Sequence, residues 1–171
     1  MANLESGEMR LRVTEFPLSA LLDESVEAIR SVRSEERVQI VVVEPAILPT
    51  LRADRRMVNQ MLLNLLINAA KFTPDGGGVR ISTALAGNRD FLLSVNDSGS
   101  GMSQKQVAAA FEMFQSLDQT LSDSTRGIGL GLPIMTAMIE EHGGTIDVVS
   151  SAGKGTKMTL RFPENRIVRD A

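Results

Sequence analysis

The sequence contains no cysteine, tryptophan or tyrosine, and it has a single histidine. Without cysteine the chain can form neither disulfides nor a thiolate metal site, and a single histidine excludes a metal site built from several imidazoles. Because the chain has only 6 phenylalanines and a net charge of −3 at pH 7, we expect neither an aromatic platform for single-stranded bases nor a basic nucleic-acid surface. We therefore expect no nucleic-acid partner.

Long apolar runs are also missing. The two longest, Ile40–Val43 and Met61–Ala70, fall well short of the ~20 residues that a membrane-spanning helix needs. The N-terminus, Met1–Gly7, lacks the cationic segment followed by an apolar one that marks a secretory signal. We expect a cytoplasmic domain that makes no membrane contact itself. This expectation leaves open a membrane anchor in a longer parent chain.

The length and periodicity of the chain predict its fold class. The 171 residues, 43% of them apolar, suit one domain. Because consecutive strands with short turns pair antiparallel, the pattern predicts an α+β fold with helices on one face of a mixed, mostly antiparallel sheet. The predicted strands are Met9–Phe16, Val38–Val43, Val79–Ala84, Phe91–Asn96, Thr145–Ser150 and Thr156–Phe162, the predicted helices are Leu18–Arg33, Arg55–Lys71, Ser103–Phe111 and Leu130–Glu141, and Glu44–Thr50 is a predicted loop.

The helix predicted to follow Asp54 carries one polar stripe on an otherwise apolar surface. Its members recur at spacings of four, four and three on one helix face: Gln60, Asn64, Asn68 and Lys71. Because buried amides are costly unless they are hydrogen-bonded, the stripe either bonds neighbouring backbone or faces a ligand. An amide oxygen suits Mg²⁺ and a lysine one turn later suits phosphate, so the stripe is a candidate site for both.

Two glycine-rich segments are the other candidates. Asp97–Gly101 (DSGSG) directly follows a predicted strand, where the aspartate either caps a turn or accepts a hydrogen bond from an exocyclic amine such as that of adenine. Gly127–Leu132 (GIGLGL) opens a predicted helix, and the flexible N–H groups there favour a phosphate site. Neither the P-loop nor the dinucleotide-binding frame fits these glycines.

The single histidine, His142, lies at the C-terminus of a predicted helix. There its cation would be stabilised by the helix dipole, so we expect a structural role. The neighbouring Glu140 and Glu141 point about 100° apart on a helix and cannot form a catalytic pair.

Five short motifs follow one another along the chain: Gln60–Pro74, Asp97–Gly101, Phe111–Phe114, Gly127–Leu132 and Gly153–Thr156. In this order they resemble the asparagine box, the glycine boxes and the phenylalanine box of the ATP-binding catalytic domain of bacterial sensor histidine kinases. The resemblance implies a two-layer α/β sandwich of the Bergerat (GHKL) type. It also implies that residues 1–10 end an upstream dimerisation and phosphoacceptor hairpin, that 11–163 form the catalytic domain and that 164–171 are a flexible tail.

The resemblance further implies a site for ATP and Mg²⁺ beneath a mobile lid at about Met102–Arg126. Asn68 would hold the metal, and Asn64 and Lys71 would contact phosphate as the catalytic residues. Asp97 would bind the adenine amine. The other implied cofactor-binding residues are Phe72 near the adenine, Gly99 and Gly101 in the base pocket, Gly127, Gly129, Leu130 and Gly131 around the phosphates, and Thr156 beside Asp97.

The residue at position 64 bears on the reaction. Related hydrolytic ATPases carry a glutamate there as the base for water, whereas Asn64 is an amide that takes no proton at neutral pH. The resemblance therefore implies transfer of the γ-phosphoryl group to a histidine of the hairpin domain, and from there to a response regulator.

The acceptor motif of that hairpin is absent from the sequence. We therefore expect a monomeric domain that binds Mg-ATP without phosphorylating itself. Three alternatives stay open: a regulatory module that signals by contact, a serine kinase of the anti-sigma type, and a hydrolytic ATPase.

Overall fold

The computed structural model describes residues 11–32, 38–43, 48–112 and 131–168. These residues form eight strands, four α-helices and one short 3-10 turn. In chain order the elements are β1 Thr14–Pro17, α1 Leu18–Val32, β2 Val38–Val43, β3 Thr50–Ala53, α2 Arg55–Phe72, β4 Gly77–Leu85, β5 Phe91–Asp97, α3 Gln104–Glu112, α4 Gly131–Glu141, β6 Thr145–Ser150, β7 Thr156–Phe162, the 3-10 turn Glu164–Arg166 and β8 Ile167–Val168.

Five strands form the main sheet in the order β2-β4-β5-β7-β6. Strands β2 and β4 run parallel, and the other neighbouring pairs run antiparallel. The parallel pair is joined through α2, since parallel neighbours need a long crossover connection. Strands β1, β3 and β8 form a separate antiparallel sheet. The predicted α+β class and the mixed, mostly antiparallel sheet are confirmed.

Side chains of the central strands alternate between two faces. In β4, Val79 and Ile81 are buried while Arg80 is exposed, and in β5 Leu93 and Val95 are buried, because successive side chains of a strand point to opposite faces. Helices α2 and α4 pack against the main sheet and against each other, so the buried face is the one that the helices cover. None of the described helices is long and apolar enough to span a bilayer.

Helix α2 runs through the core and is capped at both ends. The Asp54 carboxylate accepts hydrogen bonds from the backbone N–H groups of Arg56 and Met57, as an N-cap residue does. At the other end the backbone N–H and the hydroxyl of Thr73 both donate to the carbonyl oxygen of Ala69. The capped helix buries one apolar face, which consists of Met57, Val58, Met61, Leu62, Leu65, Leu66, Ala69 and Ala70.

Strand β3 was not predicted, because the predicted loop Glu44–Thr50 runs directly into it. Its Leu51 and Ala53 are buried while Arg52 between them is exposed. An alternation of four residues beside two prolines is too short to be recognised as a strand. The predicted first strand, Met9–Phe16, is also shorter than expected, since β1 begins at Thr14.

Of the predicted flexible tail, 164–171, the structure describes residues 164–168, which form the 3-10 turn and β8. Ile167 and Val168 pair with Leu51 and Thr50 of β3, so the prediction is wrong for these two residues. Both are partly buried, and backbone pairing with β3 satisfies polar groups that a frayed end would leave to water.

The expectation of a cationic His142 is wrong, although its role is structural. The side chain is fully buried, with 0% exposure. Its Nε2 accepts a hydrogen bond from the backbone N–H of Asp54 at 3.0 Å, and its Nδ1 donates to the carbonyl oxygen of Met138 at 2.7 Å. Because an N–H group can only donate and a carbonyl can only accept, the ring carries its proton on Nδ1 and is neutral. Burial lowers the pKa of this imidazole, against the effect of the helix dipole.

Candidate functional site

A cavity of about 120 Å³ lies between the helical layer and the main sheet. Its apolar walls come from α2, β5, α4 and β7, and include Leu65, Val95, Leu132 and Met158. A few polar side chains line it as well, namely Asn68, Asp97, Ser100, Gln106 and Thr156. A mostly apolar cavity with a small number of polar groups is typical of a small-molecule site.

Asp97 ends β5 and is half-buried in the cavity wall. Its Oδ1 accepts hydrogen bonds from the backbone N–H groups of Gly99, at 2.8 Å, and Thr156, at 3.3 Å. Burial raises the pKa of this carboxyl, while the two hydrogen bonds act to lower it. Oδ2 accepts no hydrogen bond from the residues that the structure describes. A ligand that donates an N–H, such as an exocyclic amine, can therefore satisfy Oδ2.

Three glycines let the loop after β5 pack against its neighbours. A Cβ on Gly99 would collide with the carbonyl oxygen of Phe72 in α2. A Cβ on Gly101 would collide with the backbone of the β6–β7 turn, and Gly101 has a φ of +64° that residues with side chains rarely adopt. Gly155 has a φ of +82°, and its Cβ would collide with the backbone of Asp97. The position of the Asp97 carboxylate therefore depends on close backbone contacts at all three glycines.

Asn68 reaches the cavity from α2 and meets the start of α4. A Cβ built on Gly131, the first residue of α4, would lie 3.5 Å from the Nδ2 atom of Asn68. The first N–H groups of a helix have no partner within the helix and favour anions. Asn68 and the first turn of α4 therefore form a side of the cavity that suits a phosphate chain.

Four described residues of the predicted site do not line the cavity, namely Asn64, Lys71, Gly99 and Gly131. Asn64 is one turn before Asn68, and its Oδ1 accepts a hydrogen bond from Nε2 of Gln60 at 3.3 Å. The exposed Lys71 holds its Nζ 5.4 Å from the ring centroid of Phe72, within the range of a cation–π contact. Phe72 itself lines the cavity. Contact of Asn64 and Lys71 with phosphate stays a prediction.

Part of the predicted site lies outside the described residues. This part comprises Gly127, Gly129 and Leu130 of the second glycine box. Phe114 of the phenylalanine box and residues 113–126 of the predicted lid also lie outside the described residues. Of the second glycine box the structure describes Gly131, which begins α4, and Leu132, which lines the cavity.

Several residues of the cavity were not predicted from the sequence. Leu65 and Val95 recur at the spacing of core positions, and periodicity does not distinguish a cavity wall from the core. Gln106 belongs to a capping box, since its Oε1 accepts from the N–H of Ser103 while its own N–H donates to the Ser103 hydroxyl. Ser150 does not line the cavity, but its hydroxyl lies 2.8 Å from that of the lining residue Thr156, a contact that arises only when β6 and β7 pair.

The donor set fits Mg²⁺ if most of its ligands come from phosphate and water. Within the described ranges, no group of three or more histidine, cysteine, aspartate or glutamate side chains could hold a metal ion. The amide oxygen of Asn68 is a hard donor in the cavity wall. Because Mg²⁺ keeps several waters and takes one or two protein groups alongside substrate phosphates, Asn68 suits an ion that arrives bound to a nucleotide.

Comparisons with known proteins identify the family. A profile of the family of histidine kinase-, DNA gyrase B- and HSP90-like ATPases matches residues 53–166. The cell-division control histidine kinases PdhS of Brucella abortus and Brucella canis are each 32% identical to the chain over 178 aligned residues, which cover 99% of the chain. The chain spans 17% of the length of each of these relatives.

Solved structures show the same fold. Full-length ShkA in complex with AMPPNP superposes with a TM-score of 0.75 at 28% identity, covering 97% of this chain and 33% of ShkA. The catalytic domain of the histidine kinase ThkA superposes with a TM-score of 0.73 at 25% identity, covering 90% of this chain and 96% of that domain. The chain therefore belongs to the family of histidine kinase-, DNA gyrase B- and HSP90-like ATPases and corresponds to the ATP-binding catalytic domain of histidine kinases.

Proposed function

We propose that this chain binds Mg-ATP and transfers the γ-phosphoryl group to a histidine on a separate domain of its parent kinase. The observation that carries the proposal is the cavity that Asp97 and Asn68 share. Asp97 offers an acceptor for the adenine amine, while Asn68 lies beside the first turn of α4, where a triphosphate would meet free N–H groups.

The residues of this chain would act by positioning and by stabilising charge, which are the main contributions of proteins to phosphoryl transfer. Asp97 and Phe72 would hold the base, and Asn68 would hold the Mg²⁺, which supplies charge neutralisation to the β- and γ-phosphates. Lys71 and Asn64 would contact the phosphate oxygens. The backbone N–H groups of the second glycine box, including those of Gly127, Gly129, Leu130 and Gly131, would surround the triphosphate.

The side chain at position 64 favours transfer over hydrolysis. Asn64 is a neutral amide and cannot remove a proton from water. A nucleophilic imidazole needs no such base, since its unprotonated nitrogen attacks the γ-phosphorus directly while ADP leaves. The new bond joins nitrogen to phosphorus, and the bond that breaks is the one between the γ-phosphorus and the bridging oxygen of ADP.

The acceptor histidine must come from another domain. His142 is the single histidine of the chain. It is fully buried, and both ring nitrogens are engaged in hydrogen bonds. We therefore propose a phosphoacceptor hairpin as the partner, with residues 1–10 as its final segment. A response regulator would be the next acceptor, in the cytoplasm, and the isolated chain would be a monomer.

The proposal is tested by mixing the chain with the separately produced hairpin domain of its parent kinase and with ATP labelled at the γ-phosphate. We expect acid-labile label on the hairpin, and none on the chain alone. The Asn68→Ala variant should abolish labelling. Asn88→Ala, which changes an exposed asparagine in the β4–β5 turn, should leave it intact.

Other outcomes would contradict the proposal in distinct ways. Sustained phosphate release without the hairpin would indicate a hydrolytic ATPase, and labelling of a serine substrate would indicate a serine kinase. ATP binding without any transfer would indicate a regulatory module that signals by contact.

A further inference from the structure

The hydroxyl of Ser150, the last residue of β6, makes three hydrogen bonds at the edge of the cavity. Its Oγ accepts from the backbone N–H of Met102 at 2.8 Å. It donates to the carbonyl oxygen of Gly155 at 3.0 Å. It also lies 2.8 Å from the Oγ1 atom of Thr156, the residue that pairs with it across the two strands. One side chain therefore connects the loop after β5, the β6–β7 turn and the start of β7.

The directions of these bonds follow from the donors available. A hydroxyl carries one hydrogen, and the carbonyl of Gly155 can only accept, so the Ser150 hydrogen points to Gly155. The bond between the two hydroxyls must then be donated by Thr156. Because the hydrogen of Thr156 is used in this way, its hydroxyl offers only lone pairs to a ligand in the cavity that Thr156 lines.

The neighbouring carboxylate of Asp97 also offers only hydrogen-bond acceptors to a ligand. Oδ2 of Asp97 can only accept, and Oδ1 of Asp97 is held by the backbone N–H of Thr156 at 3.3 Å. A purine with an exocyclic amine brings two N–H donors to these acceptors. A purine with a carbonyl oxygen at the same ring position brings a further acceptor, which the oxygens of Asp97 and Thr156 repel.

We propose that Ser150 is a positioning residue that fixes the direction of the Thr156 hydroxyl and so favours adenine nucleotides over purine nucleotides with a carbonyl in place of the amine. This inference rests on the proposed function, because it requires a nucleotide base in the cavity. Ser150 acts through Thr156 and does not itself need to touch the base.

A second serine–threonine pair supplies a matched control. Ser94 Oγ lies 2.9 Å from Thr159 Oγ1 between β5 and β7. Val95 and Met158, the next residues along these strands, line the cavity. Since successive side chains alternate between faces, the Ser94 pair lies on the opposite face of the same sheet. Ser94→Ala therefore removes a hydroxyl pair of the same kind without changing the cavity.

The test measures the dissociation constants of ATP and inosine triphosphate by calorimetry, with Mg²⁺, on the full chain. The wild type should prefer ATP. In Ser150→Ala the freed Thr156 hydroxyl can turn and donate to the carbonyl oxygen of the base. The ratio of the dissociation constant of inosine triphosphate to that of ATP should therefore fall about fivefold, which corresponds to one neutral hydrogen bond. Ser94→Ala should keep the wild-type preference.

Each remaining outcome decides the inference. If Ser150→Ala weakens the binding of both nucleotides equally, the role of Ser150 is structural only and the inference is wrong. In a Thr156→Val background, Ser150→Ala should leave the preference for ATP unchanged. If Ser150→Ala still changed this preference in that background, the inference would be wrong. If Ser150→Ala does not fold, the nearly isosteric Ser150→Cys should narrow the preference in the same direction. A wild type that binds neither nucleotide would refute the proposed function itself.

Discussion

The backbone N–H of Asp54 donates a hydrogen bond to Nε2 of His142 over 3.0 Å, between residues 88 positions apart in the sequence. The bond joins the N-cap of α2 to the residue that follows α4, whose Nδ1 donates to Met138. These are the two helices that present Asn68 and Gly131 to the candidate site. The bond therefore fixes the far ends of the helices between which a phosphate chain would lie.

The first prediction concerns the pH dependence of stability. In the unfolded chain His142 takes up a proton below its ordinary pKa of 6.5, whereas burial lowers the pKa in the folded chain. Between these two pKa values the unfolded state binds more protons than the folded state. The contribution of His142 to the free energy of unfolding is therefore complete above about pH 6.5, and it decreases as the pH falls from 6.5 to the lowered pKa. Urea denaturation over this range should show the loss.

The matched variant is His142→Gln, which has no titrating group. It should be less stable than the wild type at neutral pH, yet it should lose less of its stability on acidification. Equal losses in the two proteins, or a wild type that gains stability as the pH falls below neutral, would show that the buried imidazole is not neutral.

The second prediction concerns the Asp54 carboxylate. Burial acts to raise its pKa, but hydrogen bonds from the Arg56 side chain and from the backbone of Arg12 and Met57 outweigh burial and lower the pKa to about 2. The folded state therefore stabilises the charged form of Asp54. Its contribution to the free energy of unfolding is present above the ordinary pKa of 3.8 and is lost as the pH falls towards 2.

Removal of this carboxylate should be costly. Asp54→Ala removes an N-cap and charge-assisted hydrogen bonds, and we expect a loss of about 3 kcal/mol in the free energy of unfolding at neutral pH. Asp23→Ala, at an exposed position of α1, should change stability by less than about 0.5 kcal/mol. Similar small effects in both variants would contradict the role given to Asp54.

The third prediction concerns the loop that carries Asp97. Gly101→Ala introduces a side chain at a φ of +64° and against the backbone of the β6–β7 turn. We expect a loss of at least about 2 kcal/mol in stability, with weakened nucleotide binding, because the loop must move. Gly87→Ala, where a Cβ meets nothing within 4 Å, should behave like the wild type. Thermal melts with and without ATP distinguish the two, and a Gly101→Ala variant with wild-type affinity would show that the loop does not position the base.

Elements with a long, regular period were predicted well. Helix α2 was predicted over Arg55–Lys71 and ends one residue later, and β6 and β7 have the predicted bounds. Strand β3 was missed because four residues carry too little pattern, and the pairing of β8 was missed because it depends on β3.

The sequence predicted those residues of the candidate site whose side-chain type alone suggests contact with a ligand. Asn68, Asp97 and Thr156 were predicted and line one cavity, although their contacts with a ligand stay predictions. Gly129, predicted to meet the same ligand, lies outside the described residues. The orientation of the Thr156 hydroxyl could not be predicted, because it depends on which side chain of β6 lies opposite in the sheet.

The central claim is that the cavity beside Asp97 and Asn68 binds the base and the metal-bound phosphates of one ATP molecule. Calorimetric titration of ATP with and without Mg²⁺, on the wild type, Asp97→Asn and Asp147→Asn, tests it most directly. We predict that Mg²⁺ strengthens binding to the wild type and that Asp97→Asn weakens it by about 1–3 kcal/mol, the cost of an unpaired buried group. Asp147→Asn, at an exposed position of β6, should bind as the wild type does. Unchanged affinity in Asp97→Asn would contradict the claim.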